Sequence, residues 1–164
     1  MNLATNISWP SNPIDKVEDF LNAHAYTHER RSSTEIVVEI EGKWNNMLVF
    51  FSFESAMQCL HISCLMNIET QIENKSKIFE LLALINDNMW VGHFSYWTEQ
   101  KMPVFRHSIL CNNNVSLESQ IVRIFEIAVK ECERFYPIFN VVLNKGMEPS
   151  QALYPLLMET RGQA

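Results

Sequence analysis

The sequence contains little glycine, with four residues among 164. Loops that hold nucleotide phosphates depend on glycines at fixed spacing, and a nucleophile elbow needs them around its serine. No P-loop, dinucleotide-binding fingerprint or Gly-x-Ser-x-Gly turn occurs in the chain. These absences exclude the common nucleotide-binding and serine-hydrolase signatures. We therefore predict that the protein is not an enzyme and carries no cofactor.

Basic residues are also scarce. Thirteen Lys and Arg stand against nineteen Asp and Glu, which gives a formal net charge of -6. No global positive field would draw such a protein onto nucleic acid or anionic lipid. No apolar run approaches the roughly 18 residues of a membrane span, and residues 1–10 lack the features of a secretory signal. We predict a cytoplasmic protein with no nucleic-acid partner and no membrane span.

Cysteines at metal-binding or redox spacing are absent. In a reducing compartment, isolated cysteines behave as small buried hydrophobic side chains rather than as disulfides. The histidines form no metal pattern either, because His61 and Cys64 would point to opposite faces of a strand. We predict no metal site and four structural thiols, which are Cys59, Cys64, Cys111 and Cys132.

The pattern of apolar residues predicts an α+β fold in residues 12–164, preceded by a flexible tail of residues 1–11. Apolar positions recur at helical spacing in some segments and alternate in others. The resulting order is helix, three strands, helix, two strands, long helix and short helix. We interpret this order as one domain, with a mainly antiparallel five-stranded sheet that the helices cover.

Capping residues indicate where the helices begin and end. Asn12 precedes the first helix as a strong N-cap, and Thr70 with Glu73 forms a capping box for the second. Ser116 caps the longest helix, which Gly146 ends.

The predicted sheet is more apolar than its helices can easily hide. Strands near residues 47–53 and 90–97 carry large apolar side chains on both faces, whereas only one predicted helix is long. A contiguous exposed apolar patch usually marks an interface, although the helices could also divide between the faces and cover everything. We predict a protein-binding surface with the contact residues Met47, Val49, Phe51, Trp97 and Met102.

Polar residues of the second predicted hairpin allow an alternative. His93, Arg106 and His107 could converge on a pocket between the long helix and this hairpin. Cationic and imidazole groups in a pocket suit the binding of a small molecule, or acid–base chemistry. The alternative hypothesis is a small-molecule sensor or a minor enzyme.

Two segments resemble motifs of the YbjN family of bacterial proteins. The first runs from residue 86 to 94 and enters the fourth predicted strand, and the second, residues 133–139, places a proline inside the long helix. A Glu-Gly-x-Trp reversal at residues 41–44 is a further point of similarity. The motif residues are Asn86, Trp90, Gly92, Phe94, Glu133, Arg134, Phe135, Tyr136, Pro137 and Phe139.

The resemblance implies a fold similar to that of type III secretion chaperones, which are often dimeric, and a role in sensory transduction. Most motif residues are then expected to be structural. Trp90 and Phe94 would fill the core, Gly92 would admit a close neighbour, and the aromatic residues of the second motif would pack around Pro137. We expect a non-enzymatic adaptor or chaperone-like regulator that binds a protein partner as a homodimer, in a bacterial stress or sensory pathway.

Overall fold

The computed structural model describes residues 12–68, 75–111 and 116–161, with side chains described as far as residue 156. The predicted tail of residues 1–11 and the capping box at Thr70 and Glu73 lie outside the described residues. In chain order the elements are α1 (Pro13–Ala23), β1 (His28–Arg30), β2 (Glu35–Glu41), β3 (Asn46–Glu54), β4 (Cys59–Leu65), α2 (Lys75–Asn86), β5 (His93–Trp97), β6 (Met102–Leu110), α3 (Leu117–Lys145) and α4 (Pro149–Arg161).

The strands form one sheet in the order β1-β2-β3-β4-β6-β5, and every neighbouring pair is antiparallel. This confirms the predicted α+β class with an antiparallel sheet. The described sheet has six strands and not five, because β1 joins its edge. This strand consists of three polar residues. A segment this short shows no alternation of apolar and polar positions, so its sequence does not predict a strand.

The caps of the first and third helices lie where the sequence predicts them. The backbone N–H of Ile14 donates to the side-chain oxygen of Asn12 at 3.0 Å, and the N–H of Ser119 donates to Ser116 Oγ at 3.4 Å. Gly146 ends α3 with φ of 70°, the left-handed conformation that glycine adopts without strain.

The core lies between the helices and one face of the sheet. It joins buried residues of all four described helices with alternate strand positions, among them Ile36, Phe51 and Ile62, which are cross-strand neighbours. Phe51 stacks on Phe125 of α3 with ring centroids 6.2 Å apart. This aromatic contact fixes the long helix across the middle of the sheet.

Three predicted contact residues lie in this core, which is a correction to the sequence-based expectation. Met47, Val49 and Phe51 are 3%, 0% and 0% exposed, so none of them is accessible to a partner. Both faces of β3 are apolar, and alternation alone does not indicate which face the helices cover. The described helices cover the face of Phe51, and none of them covers the opposite face.

The expectations for the three residues Trp90, Gly92 and Phe94 of the first family motif have different outcomes. Phe94 is buried against Phe139, with ring centroids 5.2 Å apart, as predicted. Trp90 was expected to fill the core, but its side chain is 101% exposed and precedes β5. Gly92 has φ of 73°, and an added Cβ would lie 2.2 Å from Cζ of Phe105, so this position does admit a close neighbour.

Asn86 attaches the end of α2 to the outer edge of β5. Its amide nitrogen donates to the carbonyl oxygen of Phe94 at 2.9 Å, and its amide oxygen accepts from the N–H of Phe94 at 2.8 Å. Among the described strands β5 has β6 as its one neighbour, so its other edge would otherwise leave these backbone groups without a partner from the sheet. The side chain of Asn86 thus replaces one step of a neighbouring strand.

The second family motif holds the turn between β2 and β3 against α3. Pro137 has no N–H to bond the carbonyl of Glu133, four residues earlier in the helix. The indole N–H of Trp44 donates to this carbonyl at 3.1 Å. The Trp44 ring stacks on the Tyr136 ring, with centroids 6.4 Å apart and an interplanar angle of 2°. The backbone N–H of Lys43 adds a bond of 2.8 Å to the Glu133 carboxylate. The proline therefore frees an acceptor that the turn uses.

Among the described residues, no helix combines the length and the apolar character that a membrane span requires.

Candidate binding surface

The face of the sheet opposite the core carries no helix in the part of the chain that the structure describes, and we call it the open face. Strand register shows which of its side chains are neighbours. One apolar row pairs Trp97 of β5 with Met102 of β6. The next row joins Leu48 of β3, Leu65 of β4 and Val104 of β6.

The apolar rows are partly accessible. Leu48 is 38% exposed and Trp97 and Met102 are half-buried, whereas Leu65 and Val104 are buried. Two predicted contact residues, Trp97 and Met102, are therefore neighbours on the open face and retain some accessible surface. Their role as contacts remains a prediction.

A polar region adjoins the apolar rows. Ser63 of β4, Arg106 of β6 and His93 of β5 form one row, and His61 pairs with Ser108 in the next. One ring nitrogen of His61 is 2.8 Å from Ser108 Oγ, and the other is 3.0 Å from Ser63 Oγ. Burial lowers the pKa of His61, and the positive charge of Arg106 lowers it further. The neutral imidazole is favoured, and it joins the two hydroxyl groups.

Arg106 is the positive centre of this region. No Asp or Glu in the described ranges lies within ion-pair distance of its guanidinium. Its Nε atom is buried without a hydrogen-bond partner, and so is the hydroxyl oxygen of Ser95 on the adjacent strand. Guanidinium groups bind carboxylates through paired, charge-assisted hydrogen bonds. The open face therefore places an unpaired cation beside an apolar strip.

The three polar residues of the alternative hypothesis do not converge. His93 and Arg106 are cross-strand neighbours on the open face, whereas His107 lies on the helix-covered face, in register with Ile62. Adjacent residues of a strand point to opposite sides, so Arg106 and His107 cannot form one site. The register of β6 therefore shows that the prediction of one acid–base site formed by these three residues is wrong.

His107 instead lines a cavity of about 330 Å³ between α3 and the end of β6, which we call the α3 cleft. Burial lowers the pKa of this histidine, and the nearby His93 contributes to the shift. The other lining residues are Val91, Ile109, Gln120, Arg123, Ile124 and Ile127. The sequence predicted a pocket in this region, but only one of its three proposed residues lies there.

No three His, Cys, Asp or Glu side chains of the described residues form a group that could hold a metal ion. All four cysteines are free, and Cys64, Cys111 and Cys132 are buried. Burial raises the pKa of the Cys132 thiol well above its ordinary value. This thiol is therefore a core group rather than a nucleophile.

Comparison with solved structures finds chains whose fold is similar to this one. One similar chain comes from the crystal structure of the ExsC–ExsE complex, with a TM-score of 0.52 and 12% identity over 74% of this chain and 88% of that one. Another comes from the structure of the HopA1–SchA chaperone–effector complex, with a TM-score of 0.45 and 12% identity over 74% and 89%. Comparison with curated proteins finds no match.

The sequence itself identifies the family. The profile of the YbjN family, described as "Putative bacterial sensory transduction regulator", matches residues 13–140. The chain belongs to the YbjN family. The resemblance based on its two motifs is thereby confirmed.

The family motif residues separate into structural and exposed groups. Asn86 and Pro137 organise backbone contacts, and Phe135 and Phe139 are buried beside Phe94. Arg134 and Trp90 instead line a hollow of about 190 Å³ that adjoins the α3 cleft. Most of these motif residues thus make contacts within the fold, and two of them contribute to the surface.

The open-face residues Leu48, Ser63 and Arg106 could not be recognised as one surface from the sequence. Each comes from a different strand, and their proximity depends on the pairing of β3 with β4 and of β4 with β6. The alternation within β3 did place Leu48 opposite Phe51. No local pattern in the sequence indicates that β4 pairs with β6, because α2 and β5 lie between these two strands in the chain.

Proposed function

We propose that this YbjN protein is a non-enzymatic, chaperone-like regulator that binds a segment of a partner protein on its open face. The observation that carries the proposal is the unpaired Arg106 beside a partly exposed apolar strip, on a side without a described helix. The similar ExsC–ExsE structure is a complex of two proteins, which supports a protein partner. Its likeness to this chain concerns the fold alone, so the support for a binding surface comes from the residues of the open face.

The chemistry of the open face specifies the kind of segment that fits. An apolar side chain of the partner would cover Leu48, Met102 and Trp97, and each fully buried anchor contributes about 1.5–3 kcal/mol. An Asp or Glu of the partner would pair with Arg106. Glu39 lies at the β2 side of the same face and would repel the acidic end, so the segment would place this end toward β5.

We further propose a cytoplasmic homodimer in a sensory or stress pathway, with residues 12–164 acting as one domain. Phe79 of α2 is 54% exposed and packs on Tyr96 at the outer side of β5, and the exposed Trp90 precedes that strand. A second copy bound along this edge would bury both aromatic side chains. The free, buried thiols suit a reducing compartment.

Affinity capture with matched variants tests the proposed partner site. We expect Trp97→Ala and Arg106→Gln to retain less of a specific partner than the unaltered protein, because one loses an apolar anchor and the other the cation. The control is Met57→Ala, an exposed residue on the β3–β4 turn, which should retain as much partner as the unaltered protein. Equal retention by all variants, or no specific partner at all, would contradict the proposal.

Light scattering tests the homodimer separately. The unaltered protein should have the mass of two chains, and Trp90→Ser with Phe79→Ser should reduce it to that of one. The control Tyr154→Ser removes an exposed aromatic residue from α4 and should leave the dimer intact. A monomeric unaltered protein refutes the dimer and leaves the partner-binding proposal standing.

A further inference from the structure

The α3 cleft lies on the helix-covered side of the sheet, away from the open face. Its walls are aliphatic and come from three parts of the chain: Val91 before β5, Ile109 of β6, and Ile124 with Ile127 of α3. The volume of about 330 Å³ is at the lower end of the range found for small-molecule pockets. These walls suit the apolar body of a small ligand.

Three polar side chains border the same cavity: Gln120, Arg123 and His107. Arg123 is exposed on α3, and no carboxylate of the described residues is within ion-pair distance of it. The chain has nineteen acidic residues, so this lack of a partner does not reflect a shortage of carboxylates. Beside an aliphatic wall, a free guanidinium favours an anionic head group.

His107 supplies a neutral hydrogen-bonding group in this cavity. No hydrogen bond joins its ring to another residue in the described ranges, whereas His24 and His28 each have one and His61 has two. Because burial lowers its pKa, the ring remains neutral near pH 7 and can donate one hydrogen bond and accept another. A carboxylate would take the hydrogen bond that this ring can donate.

The cleft continues along α3. The hollow of about 190 Å³ that contains Trp90 shares Val91 and Ile127 with the cleft and reaches Arg134. From Arg123 to Arg134 the helix rises roughly 16 Å, at about 1.5 Å per residue. Arg134 is already 3.5 Å from the Glu131 carboxylate, so among the described residues Arg123 is the cation of this groove without an ion pair. The groove suits an elongated molecule with its charged end at Arg123.

We propose that the α3 cleft binds a small organic monocarboxylate with an unbranched apolar body, its carboxylate on Arg123 and its body against Val91, Ile124 and Ile127. This site is independent of the partner segment on the open face. It would give the protein a ligand-binding activity in addition to the proposed function. The proposal thus gives the pocket predicted from the sequence a ligand class. Its polar residues are Gln120, Arg123 and His107, without the predicted His93 and Arg106.

Titration with sodium decanoate, followed by amide chemical shifts in NMR spectra, tests the site. We expect saturable shifts at Val91, Ile124 and Ile127, and none at Leu48 or Ser63 on the open face. Decylamine, which has the same apolar body and the opposite charge, should not produce them. Shifts spread over the open face, or equal effects of decanoate and decylamine, would overturn the proposal.

Two variants on the same helix make the test specific. Arg123→Gln should weaken decanoate binding at least about tenfold, because a hydrogen bond between charged groups contributes more than a neutral one. Lys130→Gln removes an equal charge from an exposed position of α3 outside the cleft and should leave binding unchanged. Both positions are exposed, so both variants should fold. Equal affinity of the two variants would refute the assignment of the carboxylate to Arg123.

Discussion

The contact between Trp44 and the helix at Pro137 leads to a quantitative prediction. Trp44→Phe removes the indole N–H that donates to the Glu133 carbonyl but keeps an aromatic ring to stack on Tyr136. A net hydrogen bond contributes about 0.5–1.5 kcal/mol. Trp44 is half-exposed, so we expect a loss of about 0.5–1 kcal/mol in the free energy of unfolding.

A second substitution shows whether the proline is the reason for this bond. In Pro137→Ala, the new backbone N–H can bond the Glu133 carbonyl within the helix, so this acceptor no longer depends on Trp44. The effect of Trp44→Phe should then fall by roughly half or more, which gives a coupling energy of about 0.3–1 kcal/mol. Tyr154→Phe is the control, because its ring is exposed on α4, and it should change stability little.

Urea unfolding followed by circular dichroism measures all four members of this double-mutant cycle under one condition. A coupling energy indistinguishable from zero would refute the reasoning that Pro137 provides the acceptor for Trp44. If Trp44→Phe lowers the free energy of unfolding equally with Pro137 and with Pro137→Ala, we would instead assign the role of Trp44 to its stacking on Tyr136.

Three further predictions concern stability. Phe51→Ala should lower the free energy of unfolding by about 3–5 kcal/mol, measured by urea unfolding, because it opens a cavity in the core; a change below about 1 kcal/mol would contradict its burial. Gly92→Ala should destabilise the protein clearly more than Gly146→Ala in thermal unfolding, since both have positive φ but only Gly92 abuts the buried ring of Phe105; equal losses would contradict this. Burial lowers the folded-state pKa of His107, so the unfolded chain binds more protons, and stability should fall as the pH drops below the ordinary value near 6.5. Urea midpoints at about pH 7.5 and about pH 5.5 should differ less in His107→Gln than in the unaltered protein, and an unchanged difference would contradict this.

The helix ends could be predicted from sequence because their signals are local. Asn12, Ser116 and Gly146 each act on the backbone within one turn, and each lies where it was expected. The β1 strand could not be predicted in the same way. Its residues His28–Arg30 pair with β2, and Arg30 forms ion pairs with Asp15 and Glu18 of α1, which are tertiary contacts.

The two faces of β3 could not be distinguished from sequence. Phe51 and Leu48 lie on opposite faces of a strand in which residues 47–51 are all apolar. Which face is buried depends on where α3 crosses the sheet, and this is set by contacts such as that of Phe51 with Phe125. The predicted contact residues were therefore divided between the core and the open face.

Trp90 shows how a backbone change alters a strand prediction. Alternation continued from Trp90 to Phe94 would make both residues inward-facing. The positive φ of Gly92 interrupts the extended backbone between them, and β5 begins only at His93. The glycine itself was recognised as the place of a close contact, but its effect on the preceding residues was not.

Site-specific photo-crosslinking tests the partner-binding surface most directly. Phe50 lies on the open face between Val37 and Ser63. Benzoylphenylalanine at this position keeps the phenyl ring and adds a photoreactive benzoyl group. Tyr154 on α4 is exposed and serves as the control position. Our account predicts that the captured partner crosslinks at Phe50 and not at Tyr154, and that Arg106→Gln weakens the crosslink. Crosslinking at Tyr154 alone, or at Phe50 with equal yield in Arg106→Gln, would contradict it.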